Sequence, residues 1–413
     1  ELLYPSMIWM YRRPEHQTKR LIDEMSLQGI YKITGHRASP VYALEKIMWL
    51  QDHEPGIYSR IYKVINTKDY IIFKLTGEIL TDYSDASGTN ALDIHQKRWS
   101  SDILSVAGIN PNVMPELRES TDIAGYVTNS AAASCGLLAG TPVVCGGGDG
   151  ACATVGAGCV EKDSMYCCMG TSAWIASTAD QPLLDEKMAL FNFVHMIPNR
   201  YIPCGAMSSC GTAYHWAVEA FMQDAFRASE KTYKSIHDYV EQEVSKIAGG
   251  SKGLIFLPYL HGERSPRWNP DARGVMFGLT AAHTNKEMMR SVLEGVVYNL
   301  TSIIREFPPD SKNKALMLIG GSTNPLWTQI LCDVSNRPVS TIKSNRSATA
   351  IGAAVAAGVG TKEYREFSIV RQFIEQDATY LPIQSNVENY DKIMNIFENL
   401  YINLEEIFCL AAI

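Results

Sequence analysis

Nine consecutive residues constrain this chain more than any other stretch: Val143-Val144-Cys145-Gly146-Gly147-Gly148-Asp149-Gly150-Ala151. A β-branched run ends in three glycines, and a single carboxylate follows. The small residues from Ala151 to Gly156 then predict a short helix. Strand, glycine turn and helix start put Asp149 at the rim of a sheet, where open α/β sheets bind ligands. The glycines let backbone or ligand approach closely. Taken alone, the stretch favours a plainer reading, in which Asp149 caps its own helix. The rest of the chain decides between the two.

A length of 413 residues exceeds what one hydrophobic core organises, so two domains are expected. The expected boundary lies near Gly158 to Asp163, giving domains 1–160 and 161–413. The net charge of −7, with no long basic run, argues against nucleic acid or an anionic membrane as partner. An anionic ligand must then be held by a local site. No stretch is long and apolar enough to span a bilayer. The ten cysteines form no CxxC pair and no Cys/His metal spacing, so no metal site is expected. They read as reduced core residues of a cytoplasmic protein. The opening Glu1-Leu2-Leu3-Tyr4-Pro5 has neither initiator Met nor signal peptide and reads as a start within a longer protein.

Trp9 and Arg12, within residues 7–13, combine an aromatic plate with a guanidinium, which suits a polyhydroxylated ligand. The plainer alternative is a strand end with a packed Trp. Helices are predicted over 15–28 and from Ala43, where Ala43, Ile47, Met48 and Leu50 form an apolar stripe. A third, over 68–76, is closed by Gly77. Residues 82–89 read as a polar loop. After Asp149 the pattern turns β-rich: a strand over 165–168, a turn at Gly170-Thr171-Ser172, and a returning strand over Ala173–Ser177. Amides and hydroxyls at such a turn can wrap a phosphate, although hairpin turns are often built alike. A strand over 201–204 leads through Ser208-Ser209-Cys210-Gly211 to a helix over 212–221.

A long loop over 262–279 precedes a helix with Thr284 at its N-cap and Glu287 completing a capping box. Then come a buried strand, Leu316–Ile319, a Gly320-Gly321 turn, and a helix with Asn324 at N-cap and Pro325 at N1. That turn leaves room for a flat ring or a phosphate. The helix over 348–357 is almost all small residues, and a last helix spans 386–408. There is no GxxxxGK[ST]. The loose GxGxxA match at 148–153 is followed by a hairpin rather than a crossover, so a dinucleotide site is a poor reading.

The order of these motifs resembles the FGGY family of carbohydrate kinases. Arg273-Gly274-Val275-Met276-Phe277-Gly278-Leu279, followed by Glu287-Met288-Met289-Arg290-Ser291-Val292-Leu293-Glu294-Gly295, matches the family's second signature. Gly262-Glu263-Arg264-Ser265-Pro266 and the glycine turns at 146–149, 170–172 and 320–321 fall in family order. Asp82-Tyr83-Ser84-Asp85-Ala86-Ser87-Gly88-Thr89 is similar to the xylulokinase branch.

The resemblance implies an α/β fold of two actin-like, ribonuclease-H-like domains around a cleft. It implies ATP and Mg2+ as cofactors, a small sugar as substrate, and a homodimer. The first domain would serve the sugar and the second ATP. Asp149 would be the general base in phosphorylation of a sugar hydroxyl, with D-xylulose to D-xylulose 5-phosphate the leading case. Trp9, Arg12, Gly150 and Trp174 would lie on the sugar side. Gly170, Thr171, Ser172 and Gly211 would lie at the ATP phosphates, and Gly320, Gly321 and Asn324 near the adenosine.

Three departures stand out. The family's opening hairpin, with its Asp-x-Gly-Thr phosphate and Mg2+ motif, would precede Glu1. Tyr11 stands where relatives have the Asp of Trp-x-Asp-x-Arg. Gly150 follows the base where xylulokinases have Asn, which is closer to gluconokinase-like members. A gluconokinase or another pentose or sugar-acid kinase is the alternative within the family, and a non-catalytic sugar or nucleotide binder the alternative outside it.

Overall fold

The computed structural model describes every residue except 9, 228–231, 310–313, 344 and 412–413. The chain forms two compact units. The first comprises Glu1–Lys162, Thr178–Cys204 and Ser347–Ile374; the second comprises Asp163–Ser177, Gly205–Arg346 and Glu375–Ile413. The first crossing, after Lys162, lies close to the boundary expected at 160/161. The later exchanges of chain follow from strand and helix pairings far apart in sequence, which no composition shift announces. No described helix is long and apolar enough to cross a membrane. Most of the ten cysteines are buried.

In the first unit, helices Glu15–Met25, Leu27–Thr34, Ala43–His53 and Ser101–Ala107 meet on Leu21, Ile30, Leu44, Met48, Ile103 and Leu104. The single helix expected over 15–28 is therefore two. Ser26 breaks it, with φ of 58°, and its Oγ accepts the Gly29 amide at 3.1 Å. A serine that satisfies the next helix's first amides competes with continuation of the helix before it. Residues 7–13 contain no strand among those described; a turn closes there from the Tyr11 amide to the Ile8 carbonyl. Thr67–Thr76 ends at Gly77 as expected.

Residues 82–89 are not an open polar loop. Tyr83–Ser87 is a helical turn, with Asp82 as N-cap accepting the Ser84 amide at 2.9 Å. Its hydroxyls are satisfied internally: Ser87 Oγ donates to the Ser84 carbonyl at 2.7 Å and Thr89 Oγ1 to that of Ala86 at 2.6 Å. Inward-turned hydroxyls let so polar a segment be buried. Leu80–Asp82 pairs in parallel with Glu116–Arg118, and Pro142–Val144 pairs antiparallel with Ile123–Tyr126. The helix Asp149–Gly156 then packs on Ala348–Gly360. The approach is so close that a Cβ on Gly352 would collide with the Cys152 carbonyl.

In the second unit, the sheet runs Gln376–Tyr380, Val339–Ile342, Leu316–Ile319, Met165–Met169, Ala173–Ser177, then the end of Tyr201–Met207. Leu316–Ile319 is parallel to both its neighbours. Met169 pairs with Ala173, which leaves Gly170-Thr171-Ser172 as a three-residue turn. Asn285–Arg305 starts with the expected Thr284/Glu287 capping box. The helix expected over 212–221 is interrupted: Gly211–Ala217 passes into a π-helical turn, Val218–Met222. The widened turn lets Ala217, Val218 and Met222 all be buried.

Glu45 gives a test of this fold. It is fully buried, its Oε1 accepting Asn90 Nδ2 at 2.9 Å and the Ser39 amide at 3.2 Å. Burial pushes its carboxyl from 4.5 up to about 7. The folded chain therefore keeps a proton on Glu45 that the unfolded chain releases, so stability falls as pH rises across that window. Glu45→Gln should remove this dependence. Urea melts at pH 5 and pH 8 should show the variant gaining on the parent by about 2 kcal/mol at the higher pH.

Candidate active site

In the first unit, the glycine turn is built against the segment over 82–85. Gly148 occupies the N-cap of Asp149–Gly156, so Asp149 opens the helix without capping it. Asp149 is exposed, and its Oδ1 accepts the Gly150 amide at 2.7 Å. The residues before it are tied down. The Cys145 amide donates to the Asp122 carbonyl and the Gly146 amide to that of Ser120, each at 2.9 Å. The Gly148 amide donates to Ser84 Oγ at 3.0 Å. A Cβ on Gly147 would lie 2.6 Å from Met196 Cγ and 2.8 Å from Ser84 Oγ, so any larger residue there must displace those side chains.

Beneath the turn lies a buried charge cluster. Lys68 Nζ stands 2.7 Å from Asp69 Oδ1 and 3.2 Å from Asp82 Oδ1, and donates to the Cys145 carbonyl at 3.3 Å. Burial opposes the ammonium, but Asp82, Asp69 and Asp85 outweigh it and hold Lys68 above its ordinary value. Asp85 lies against Gly148, where an added Cβ would meet its Oδ1 at 3.5 Å. Burial, only partly offset by Lys68, pushes Asp85 up to about 7.

In the second unit, three turns far apart in sequence form one cluster. The Gly170 carbonyl accepts the Gly211 amide at 2.9 Å and Ser322 Oγ at 3.2 Å. The Thr171 carbonyl accepts the amides of Cys210 and Thr212, each at 3.1 Å, and the Ser322 amide donates to the Met169 carbonyl at 2.9 Å. Glu263, buried and pushed up to about 8 by that burial, accepts the Ser208 amide at 3.0 Å and Asn299 Nδ2 at 2.9 Å, which fixes the approach to Gly211.

Beside the cluster is a recess of about 360 Å³, lined by Tyr214, His237, Gly321, Ser322, Asn324 and Trp327 among others. Asn324 caps its helix as expected, accepting the Trp327 amide at 2.8 Å. The Tyr214 ring stacks on Trp327 at 5.7 Å and on His237 at 5.5 Å, each at 27°. Tyr214 Oη and His237 Nδ1 are 2.8 Å apart. The volume suits a nucleoside-sized ligand. An aromatic-lined recess beside a turn of amides and hydroxyls suits a base with its phosphates.

Two family models match this chain: the N-terminal domain of the FGGY carbohydrate kinases over residues 1–156, and the C-terminal domain over 165–361. The chain belongs to the FGGY family of carbohydrate kinases. It is 32% identical to a xylulose kinase of Lactococcus lactis, over 98% of this chain and 79% of that one. It is 30% identical to a gluconokinase of Bacillus subtilis, over 98% and 79%. A solved structure of xylulose kinase from Lactobacillus acidophilus superposes with a TM-score of 0.90 at 27% identity, covering 98% of this chain and 81% of that one. As an FGGY kinase the chain is a phosphotransferase with ATP as phosphoryl donor and a sugar as acceptor, built on the two-domain mixed α/β fold of that family.

Within this FGGY kinase the structure collects Gly170, Thr171, Ser172, Gly211, Gly320, Gly321 and Asn324 in the second unit. Asp149, Gly150 and Arg12 belong to the first unit, and Arg12 is exposed. Trp9 lies outside the described residues. Trp174 belongs to the second unit, and its indole N–H is already given to Tyr166 Oη at 2.9 Å. The sequence reading missed Lys68, Ser84, Asp85, Tyr214 and His237. Only the resemblance of residues 82–89 to one branch pointed towards any of them. Among the described residues no group of three or more His, Cys, Asp or Glu side chains would hold a metal. The phosphate-side turns offer hydroxyls and amides, which suit phosphate oxygens rather than a divalent cation.

The contact at Gly147 is testable. Gly147→Ala should destabilise by about 1–3 kcal/mol through overpacking and lower turnover. Adding Met196→Ala should recover much of the stability, because it removes the nearest obstruction. Thermal melts of the single and double variants measure both effects.

Proposed function

We propose that this chain phosphorylates D-xylulose to D-xylulose 5-phosphate, with Asp149 as general base. The observation that carries the proposal is an exposed carboxylate at the end of a rigidly tied glycine turn, with at least one oxygen left for a substrate hydroxyl. Phosphoryl transfer asks a protein for positioning, charge neutralisation and a group that orients the nucleophile. Asp149 accepts the hydroxyl proton as the sugar oxygen bonds to the γ-phosphorus. The bond from that phosphorus to the β–γ bridging oxygen breaks, and ADP leaves with the electron pair.

Gly170, Thr171, Ser172 and Gly211 are assigned to the phosphates. Gly320, Gly321 and Asn324 are assigned to the adenosine, with Tyr214 and His237 flanking the base. Arg12, Gly150, Trp9 and Trp174 are assigned to the sugar. Mg2+ would enter with ATP and supply charge neutralisation at its phosphates.

The sugar assignment draws on charge as well as likeness. Two carboxylates, those of Asp69 and Asp82, pair with one ammonium under the turn that presents Asp149, with Asp85 beside them. A neutral ketopentose suits that setting better than an anionic sugar acid. Gly150 and the exposed Arg12 favour the second reading, a gluconokinase, since Arg12 can pair with a sugar carboxylate.

A coupled ADP-release assay should give kcat/KM for D-xylulose at least tenfold above that for gluconate. The reverse order would transfer the assignment to gluconate. Asp149→Asn should lower kcat by about 10²- to 10⁴-fold without shifting the melting temperature, because the side chain is exposed. Tyr214→Ala should raise KM for ATP by about tenfold, as expected for loss of one aromatic stacking partner, and leave KM for the sugar unchanged.

A further inference from the structure

Ser84 is 2% exposed and is not the cap of its own helix, because Asp82 fills that role for the Ser84 amide. Its hydroxyl therefore serves something else. A serine hydroxyl has one proton to give. Ser84 Oγ gives it to Asp82 Oδ2, in a short hydrogen bond. Only its lone pairs remain, and one accepts the Gly148 amide at 3.0 Å.

The hydrogen bonds thus run one way, from Gly148 N–H to Ser84 Oγ and from Ser84 O–H to Asp82 Oδ2, while Lys68 Nζ stands 3.2 Å from the other oxygen, Oδ1, as an ion pair. Ser120 Oγ also donates to Asp82 Oδ2, at 2.7 Å, while the Ser120 carbonyl holds the Gly146 amide at 2.9 Å. Lys68 itself donates to the Cys145 carbonyl at 3.3 Å. One buried carboxylate, through three partners, fixes three points of the turn at 145–148.

We infer that Ser84 is a positioning residue for the base: its hydroxyl couples the buried carboxylate of Asp82, ion-paired with Lys68, to the amide of Gly148, the residue before Asp149. This rests on the reading of Asp149 as the base. Charge-assisted hydrogen bonds are stronger than neutral ones, and a serine polarised by Asp82 is a better acceptor for the Gly148 amide. The turn is thereby held against displacement while Asp149 waits for a hydroxyl. A displacement of about 1 Å at a reacting group can cost on the order of 10²-fold in rate.

The test compares Ser84→Ala, Ser84→Thr and Asp149→Asn in the full chain, with ATP and the preferred sugar of the assay above. Ser84→Ala should lower kcat about 10- to 100-fold and leave KM for ATP within about twofold. Ser84→Thr, which keeps the hydroxyl, should return most of the loss. By hydrogen exchange, the peptide containing Gly148 should exchange at least about tenfold faster in Ser84→Ala, as for an amide that has lost its partner, with the rest of the first unit unchanged.

Near-parental kcat in Ser84→Ala beside an inactive Asp149→Asn would overturn the inference and leave the base standing. Exchange that quickens across the whole first unit, with ATP affinity lost as well, would reduce Ser84 to an ordinary core residue. Parental activity in Asp149→Asn would remove the base and this inference together.

Discussion

At Gly147 the backbone passes so close to Met196 and Ser84 that a side chain would have to push them aside, and the placing of Asp149 follows from that contact. The absence of one carbon lets the turn sit on the segment over 82–85. Once seated, it meets hydroxyls and charges already held beneath it. Asp82 is fully buried and Lys68 partly exposed, and such a pair contributes less to stability than its distance suggests, because the buried charge must first leave water. Their value here is geometric. A charge with one low-energy partner arrangement fixes what is bonded to it, and the groups bonded to this one are the turn's own amides and carbonyls.

The second unit solves a similar problem with backbone alone. Three turns converge on the carbonyls of Met169, Gly170 and Thr171, each of which accepts a donor from another turn. Those bonds use the amides of Cys210, Gly211, Thr212 and Ser322, so they fix the shape of the cluster. The neighbouring recess adds stacked rings. Burial holds the Tyr214 phenol well above its ordinary value, so it stays protonated and keeps its bond to His237. The two units thus carry different chemistry, one an exposed carboxylate on a fixed turn, the other converging turns beside an aromatic-lined recess.

What the sequence made legible was local. The Thr284/Glu287 capping box, the Asn324 and Pro325 helix start, the Gly77 stop and the hairpin over 165–177 each lie within a dozen residues, and each has its signal inside that window. The family itself was legible because its signature sets glycines and charges at fixed spacing. What escaped was non-local. Ser84 meets Gly148 across 64 residues, and Tyr214 meets His237 across 23. Neither pairing leaves a periodicity. The burial of residues 82–89 was not legible because polar side chains that bond inward cannot be told, by composition, from those that face water, and the break at Ser26 was not because one capping serine leaves the helical spacing on either side unchanged.

Transfer of the γ-phosphoryl group to a sugar hydroxyl makes a new P–O–C bond, and phosphorus NMR reads that bond directly. ATP and D-xylulose incubated with the full chain should lose the γ-phosphate resonance of ATP and gain ADP and one new phosphomonoester signal. That signal should be coupled to two methylene protons, as a 5-phosphate requires. Inorganic phosphate with no ester signal would contradict the account, because the γ-phosphoryl group would then be passing to water and not to the sugar.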